Sequence, residues 1–131
     1  LDDITDRLAQ KQDGQWHRAK SADTFCPVGP WLVTPDEIGP PEGLRLVSRL
    51  DGHVVQDGLA SDMVFDIPRL ISYLSRTTTL EPGDILATGT PAGIGSVQTP
   101  PMLLRPGAIV EAEITGLGVQ RNSVQGSKSR V

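Results

Sequence analysis

The chain has 131 residues, 37% hydrophobic and 21% charged, with a formal net charge of −4 at pH 7. That length suits one domain with its own core, and the acidic balance excludes the basic stripe a nucleic-acid surface needs. No apolar run reaches the roughly 20 residues of a membrane span. The single cysteine excludes an internal disulfide and fits a reducing cytoplasm.

In chain order, Asp3 to Gln12 is polar and predicts a short helix capped by Asp2 or Asp3, ended by a turn at Asp13-Gly14. Pro27, Pro30, Pro35, Pro40 and Pro41 then argue against regular helix as far as Glu42. Leu44 to Leu50 predicts a strand with Leu44, Leu46, Ser48 and Leu50 on one face. Asp51-Gly52 is a hairpin turn and His53 to Gln56 the returning strand. A helix follows Asp66, with Pro68 in its first turn and Ile67, Leu70, Ile71 and Leu74 on one stripe, ending near Arg76. Asp84 to Ala87 predicts a short buried strand, Thr88 to Gly95 a loop, and Ile109 to Ile114 a strand after Pro106-Gly107. The domain is expected over residues 1–119, with 120–131 a loose tail poor in apolar residues. Fourteen glycines and eleven prolines indicate a turn-rich, mainly β protein. Leu1 is not an initiator residue, so the expectation is a processed chain or part of something longer.

Several segments carry chemistry. The loop Thr88-Gly89-Thr90-Pro91-Ala92-Gly93-Ile94-Gly95 lacks the lysine of a phosphate-binding loop and the third glycine of a dinucleotide fingerprint. What it offers is a tight turn with backbone N–H groups and two threonine hydroxyls, suited to a carboxylate. Read alone, it is more often a structural turn. Asp2, Asp3 and Asp6 are oxygen donors for a hard cation, although carboxylates in a first helical turn more often cap the helix and complement its dipole. Lys20 sits among small and aromatic residues. Cys26 reads as a buried inert thiol, Trp16 and Trp31 as core or interface anchors, and Glu111 and Glu113 as a solvated face.

Five segments in order carry a resemblance: D-D-I-T-D-R-L-A-Q from Asp2, Gly14 to Trp31, Gln56 to Phe65, L-E-P-G-D from Leu80, and T-G-T-P-A-G-I-G from Thr88. They resemble the catalytic C-terminal domain of the fumarylacetoacetate hydrolase family, whose wording is N-D-V/I-S/T-A-R-D-L-Q, G-Q-W-x-R-G/A-K with F-C-P-x-G-P-W, Q-x-G-x-T-x-D-M, and T-G-T-P-x-G. Asp6, Leu8, Ala22 and Ala60 stand where the pattern has Ala, Asp, Phe and Thr.

The resemblance implies an α+β, mainly β fold: a mixed-sheet β-roll with one or two short helices. It implies a metal-dependent enzyme acting on 2-oxo or 2-hydroxy-dienoate acids in aromatic-compound catabolism, by C–C hydrolysis, decarboxylation or enol–keto isomerisation. The wording is most similar to 2-hydroxyhepta-2,4-diene-1,7-dioate isomerases, with oxaloacetate decarboxylase and acylpyruvate hydrolase as alternatives. Carried over by position, Asp3 would bind Mg²⁺ or Mn²⁺ (Ca²⁺ being the third candidate), with Thr24 near the metal. Lys20 would be catalytic, and Gln10 and Thr90 would contact substrate. A homodimer is implied, with a small-molecule partner and neither nucleic acid nor membrane. The family's Glu-x-Glu ligands and lid histidine–glutamate pair fall before Leu1, so the residues alone are expected to be inactive. The competing expectation is a truncated β-module that binds anions or a partner.

Overall fold

The computed structural model describes residues 1–126. Helix α1, Arg7–Asp13, begins later than the acidic cluster suggested, and its cap is Asp6 rather than Asp2 or Asp3. The Asp6 carboxylate accepts the Leu8 and Ala9 N–H groups at 2.9 and 3.0 Å, satisfying two donors that the first turn leaves free. Gly14, at φ +65°, closes the helix. The one-turn helix α2, His17–Lys20, packs against α1. Ala9 and Ala19 are buried, and the Asp6 N–H donates to the Ala19 carbonyl at 2.9 Å.

The proline-rich stretch is not free of helix, contrary to expectation. Helix α3, Pro35–Ile38, is a single turn with Pro35 in its first position, where a missing N–H costs nothing. A 3₁₀ turn follows at Pro41–Gly43. Helix α4, Ile67–Leu74, matches the predicted apolar stripe, and the Asp66 carboxylate accepts the Arg69 N–H at 2.8 Å. Among the described residues four α-helical segments replace the one or two expected, because single turns at caps and prolines escape periodicity.

Strands β1, Arg45–Leu50, β2, His53–Leu59, β3, Ile109–Ile114, and β4, Gly118–Ser123, form one sheet in the order β2-β1-β3-β4. Every pairing is antiparallel, which corrects the expected mixed sheet. Asp51 and Gly52 both take positive φ, the conformation of a two-residue hairpin turn. The tail expectation fails at residues 120–123, which belong to β4. That strand is polar because it pairs at the sheet edge, and it was unreadable from hydrophobicity. Residues 127–131 of the expected tail lie outside the described residues.

Residues directly opposite one another share a face. One face therefore carries Leu46, Ser48, Gln56, Gly58, Ala112, Ile114 and Gln120 together; the other carries Arg45, Val47, Asp57, Glu113 and Val119. On the second face Glu113 pairs with Arg49 at 2.7 Å and Glu111 with Arg121 at 3.2 Å, so these glutamates are ion-paired rather than simply solvated. Beside them, the Arg45 guanidinium hydrogen-bonds Asp57 and holds its carboxyl below the usual range.

The buried apolar residues are Ala9, Ala19, Val47, Ala108 and Val110, a smaller core than the length led us to expect. A single sheet roofed by loops has too few layers to enclose large side chains. Trp16 and Trp31 are exposed, not core, and Cys26 is exposed rather than buried. Asp84 to Ala87 is exposed and forms no strand, since no strand among the described residues pairs with it.

The loop of residues 88–94 lies on β2 through two close approaches. A Cβ on Gly58 would fall 2.9 Å from the Pro91 Cβ, and one on Gly93 would fall 2.6 Å from the Val55 carbonyl oxygen. Gly107 has a similar φ, +90° against +99° for Gly93, but nothing within 4 Å. Gly107→Ala should therefore cost about 1–2 kcal/mol from backbone conformation alone. Gly93→Ala should cost about 1–3 kcal/mol more from crowding. Urea unfolding of the two variants compares them, and equal losses would show that the loop does not rest on β2.

Candidate active site

The sequence sets Lys20 seventeen residues after Asp3, and the fold brings them into contact. The Lys20 ammonium forms an ion pair and hydrogen bond with Asp3 Oδ2. The segment before α1 makes this possible. Asp2 donates its N–H to the Pro27 carbonyl at 3.1 Å, and Asp6 donates to Ala19 at 2.9 Å, so the first six residues lie along α2 and the loop after it. Lys20 also lies over the Trp16 ring, 5.6 Å from its centroid, a cation–π contact that holds the side chain from a second side. The exposed Trp16 therefore acts as one wall beside the lysine rather than as a core anchor.

Asp2, read in the sequence only as one of three oxygen donors or helix caps, is the electrostatic anomaly of this region. Its carboxyl is pushed up from the ordinary value chiefly by burial. The neighbouring Asp3 carboxylate adds to the shift. Its Oδ2 is buried without a hydrogen-bond partner. Only the adjacency of two aspartates hinted at it in the sequence.

The other predicted residues sit apart from the pair in their bonding. Gln10, half-buried on α1, accepts a hydrogen bond from Arg7 at 3.0 Å. Thr24 is exposed four residues after Lys20, with φ +71°, and Cys26 follows at φ +56°. A β-branched residue in that region is strained, and strain persists only where surrounding contacts impose it. Thr90 is exposed on the loop over β2, and its hydroxyl accepts a hydrogen bond from Gln56 at 2.8 Å. The structure thus joins Asp3 to Lys20 directly, while Thr90 is fixed by the sheet.

Among the described residues no cluster of three His, Cys, Asp or Glu side chains could hold a metal ion. Asp3 is a suitable hard oxygen donor, but Mg²⁺ generally needs further anionic or neutral oxygens. These residues alone do not complete a metal centre.

The profile of the C-terminal domain of fumarylacetoacetate (FAA) hydrolase matches residues 1–125. The chain is 46% identical over 126 residues to a 2,4-didehydro-3-deoxy-L-rhamnonate hydrolase from Sphingomonas sp. (strain SKA58), covering 95% of this chain and 44% of that protein. Its structure is similar to a fumarylacetoacetate hydrolase from psychrophilic Exiguobacterium antarcticum, with a TM-score of 0.91 and 39% identity, over 95% of this chain and 45% of that one. It is also similar to a 2-hydroxyhepta-2,4-diene-1,7-dioate isomerase from Mycobacterium marinum, with a TM-score of 0.83 and 42% identity, over 94% and 45% of the two chains. The chain spans less than half the length of these relatives.

The buried carboxyl of Asp2 gives a stability prediction with a definite sign. Its pKa is raised in the folded state, so ionisation disfavours folding and stability falls as pH rises above the ordinary carboxylate range. Asp2→Asn, which cannot ionise, should raise the melting temperature at pH 7, and the gain should disappear near pH 4. A gain that is the same at both pH values would show that burial of charge is not the cause.

Proposed function

The chain belongs to the fumarylacetoacetate hydrolase family, and from that premise we propose that its protein is an enzyme acting on 2-oxo or 2-hydroxy-dienoate carboxylic acids. The Asp3–Lys20 contact is the observation that carries this reading. An ammonium fixed against a carboxylate and an aromatic face is a preorganised positive charge. Such a charge stabilises an oxyanion far better than a mobile lysine does, and more so where water is excluded. The relatives' names support the substrate class: one is a hydrolase of a deoxy sugar acid, another an isomerase of a hydroxydienedioate, and both substrates are carboxylates.

In this reading Lys20 is the catalytic residue, facing the oxygen on which enolate charge develops as a C–C or C–H bond breaks. Thr90 holds a substrate oxygen through its hydroxyl and backbone N–H, and Gln10 contacts the substrate from α1. Members of this family generally use a divalent metal ion. The reading gives Asp3 to Mg²⁺ or Mn²⁺ as one ligand, with Thr24 close by and the remaining ligands coming from outside the described residues. A bound ion there would supply Lewis-acid polarisation of the 2-oxo acid. Isomerisation is the first reaction to test, and acylpyruvate hydrolysis and oxaloacetate decarboxylation are the alternatives.

The reading extends to a β-roll form, a homodimer and a cytoplasmic location. Exposed large apolar side chains such as Leu32, Val64 and Trp31 support burial against further polypeptide. The single cysteine fits a reducing compartment. No described helix is long and apolar enough to cross a membrane.

The test is made on the protein expressed from its complete reading frame, with a panel of hydroxydienedioate, acylpyruvate and oxaloacetate. Lys20→Ala should lower turnover by about 10²-fold or more while weakening Mg²⁺ binding much less. Asp3→Asn should do the reverse first, loosening Mg²⁺ in calorimetric titration. If Lys20→Ala loses no more activity than a change at the exposed Arg76, after α4, the catalytic assignment fails. If the intact protein is inert on the whole panel, a binding module replaces the enzyme.

A further inference from the structure

We propose that Gln56 is a positioning residue that makes the Thr90 hydroxyl an obligate hydrogen-bond donor toward the substrate. This rests on the reading of Thr90 as a substrate contact.

Gln56 lies on β2 directly opposite Ser48 of β1, on the apolar face of the sheet, and all its amide groups are committed. Ser48 Oγ donates to Gln56 Oε1 at 3.0 Å. Gln56 Nε2 donates to the Thr90 hydroxyl oxygen at 2.8 Å and to the Pro91 carbonyl at 2.7 Å. These partners fix which way the amide faces. A flipped amide would set its oxygen against the Pro91 carbonyl, two acceptors in contact, and would lose both donated bonds.

A threonine hydroxyl has one proton and two lone pairs. With Gln56 donating to its oxygen, the Thr90 proton must point elsewhere, and among the described residues it has no acceptor. The side chain is exposed, so the proton is directed to whatever lies over the loop. A donor held in that direction suits a carboxylate or enolate oxygen and is wasted on a cation. The chain of bonds from Ser48 through Gln56 to Thr90 is also polarised in one sense, so each bond strengthens the next.

The backbone around Gln56 serves the same contact. Gly58, two residues on and on the same face, admits Pro91. Gly93 approaches the Val55 carbonyl, and Gln98 donates to the Gly93 carbonyl at 2.8 Å. The Gln56-x-Gly58 spacing thus sets one amide and one gap beneath the Thr90-Pro91 step. A merely structural glutamine would need only its bond to Pro91. The bond to the threonine hydroxyl is what couples the sheet to ligand chemistry.

The test is a double-mutant cycle between Gln56→Glu and Thr90→Val, on the protein expressed from its complete reading frame with Mg²⁺ saturating. The readout is calorimetric binding of oxalate, with KM and kcat alongside. Gln56→Glu replaces the donor by an acceptor, so the Thr90 proton turns inward. Oxalate binding at pH 8 should weaken about tenfold, with KM rising more than kcat falls. The loss should shrink as pH drops toward 5, where the introduced carboxyl regains a proton. In the Thr90→Val background the same change should alter binding less than about twofold. Gln56→Met, neutral and similar in size, should give a smaller loss with the same non-additivity, and carries the cycle should the charged variant not fold. Equal losses in both backgrounds, or a loss insensitive to pH, would overturn the role of Gln56 while leaving Thr90 in the site. Unchanged binding in Thr90→Val alone would overturn both this role and the reading of Thr90 on which it rests.

Discussion

Several polar side chains interrupt the apolar face of the sheet, and the loops above it are tied down through two of them. Gln56 holds the Thr90-Pro91 step, and Gln120, buried on β4, donates to the Gly29 carbonyl at 3.3 Å. Ser48 sets the orientation of Gln56. A buried amide without partners would cost about 1–3 kcal/mol, so such groups fix one loop position and penalise others. That directional grip is what a small apolar core cannot supply, because dispersion contacts tolerate sliding. The Gly29 tie matters beyond its own loop, since the neighbouring Pro27 carbonyl receives the Asp2 N–H and so seats the segment that carries Asp3.

The charge arrangement at the other end of the loop follows from the same seating. Asp2 and Asp3 are adjacent, yet their side chains meet different environments. Asp3 finds the Lys20 ammonium, while Asp2 turns inward and loses solvent. The pairing offsets the charge of Asp3 with that of Lys20. The residues Thr24 and Cys26 both hold positive φ in the turn between Lys20 and Pro27. Strain of about 1–3 kcal/mol per such residue is tolerable only if the loop is held at both ends, as the Asp6 bond to Ala19 and the Asp2 bond to Pro27 do.

How much of this was legible in the sequence varies with the kind of signal. The hairpin at Asp51-Gly52 was legible because only a few residue types accept two positive φ values in succession. The helix after Asp66 was legible because cap, proline and apolar stripe agree. For the site, ordered motifs pointed to Asp3, Lys20 and Thr90, and the first two proved to touch. Gln56 opens one of those motifs, yet nothing in it assigned the glutamine a role. A glutamine on a strand is ordinary until the partner strand and the overlying loop are both known, and its role depends on contacts 34 and 35 residues away. The cap at Asp6 was misplaced because three aspartates within five residues all satisfy the same local rule, and only the contact with Ala19 selects among them.

The failures concerning burial share one physical cause. Asp84 to Ala87, Trp31 and the stripe of α4 each carry the apolar pattern of a buried element, yet Ile85, Trp31 and Ile71 are 65%, 71% and 44% exposed. Sequence patterns report what a segment needs to bury, not where the covering surface comes from. Within the described residues there is one sheet, and its roofing loops occupy one face of it, so these segments have nothing to lie against. The same patterns recur in a chain that spans less than half of its relatives. Amphipathic design without an internal partner is what a surface shared with more polypeptide would look like.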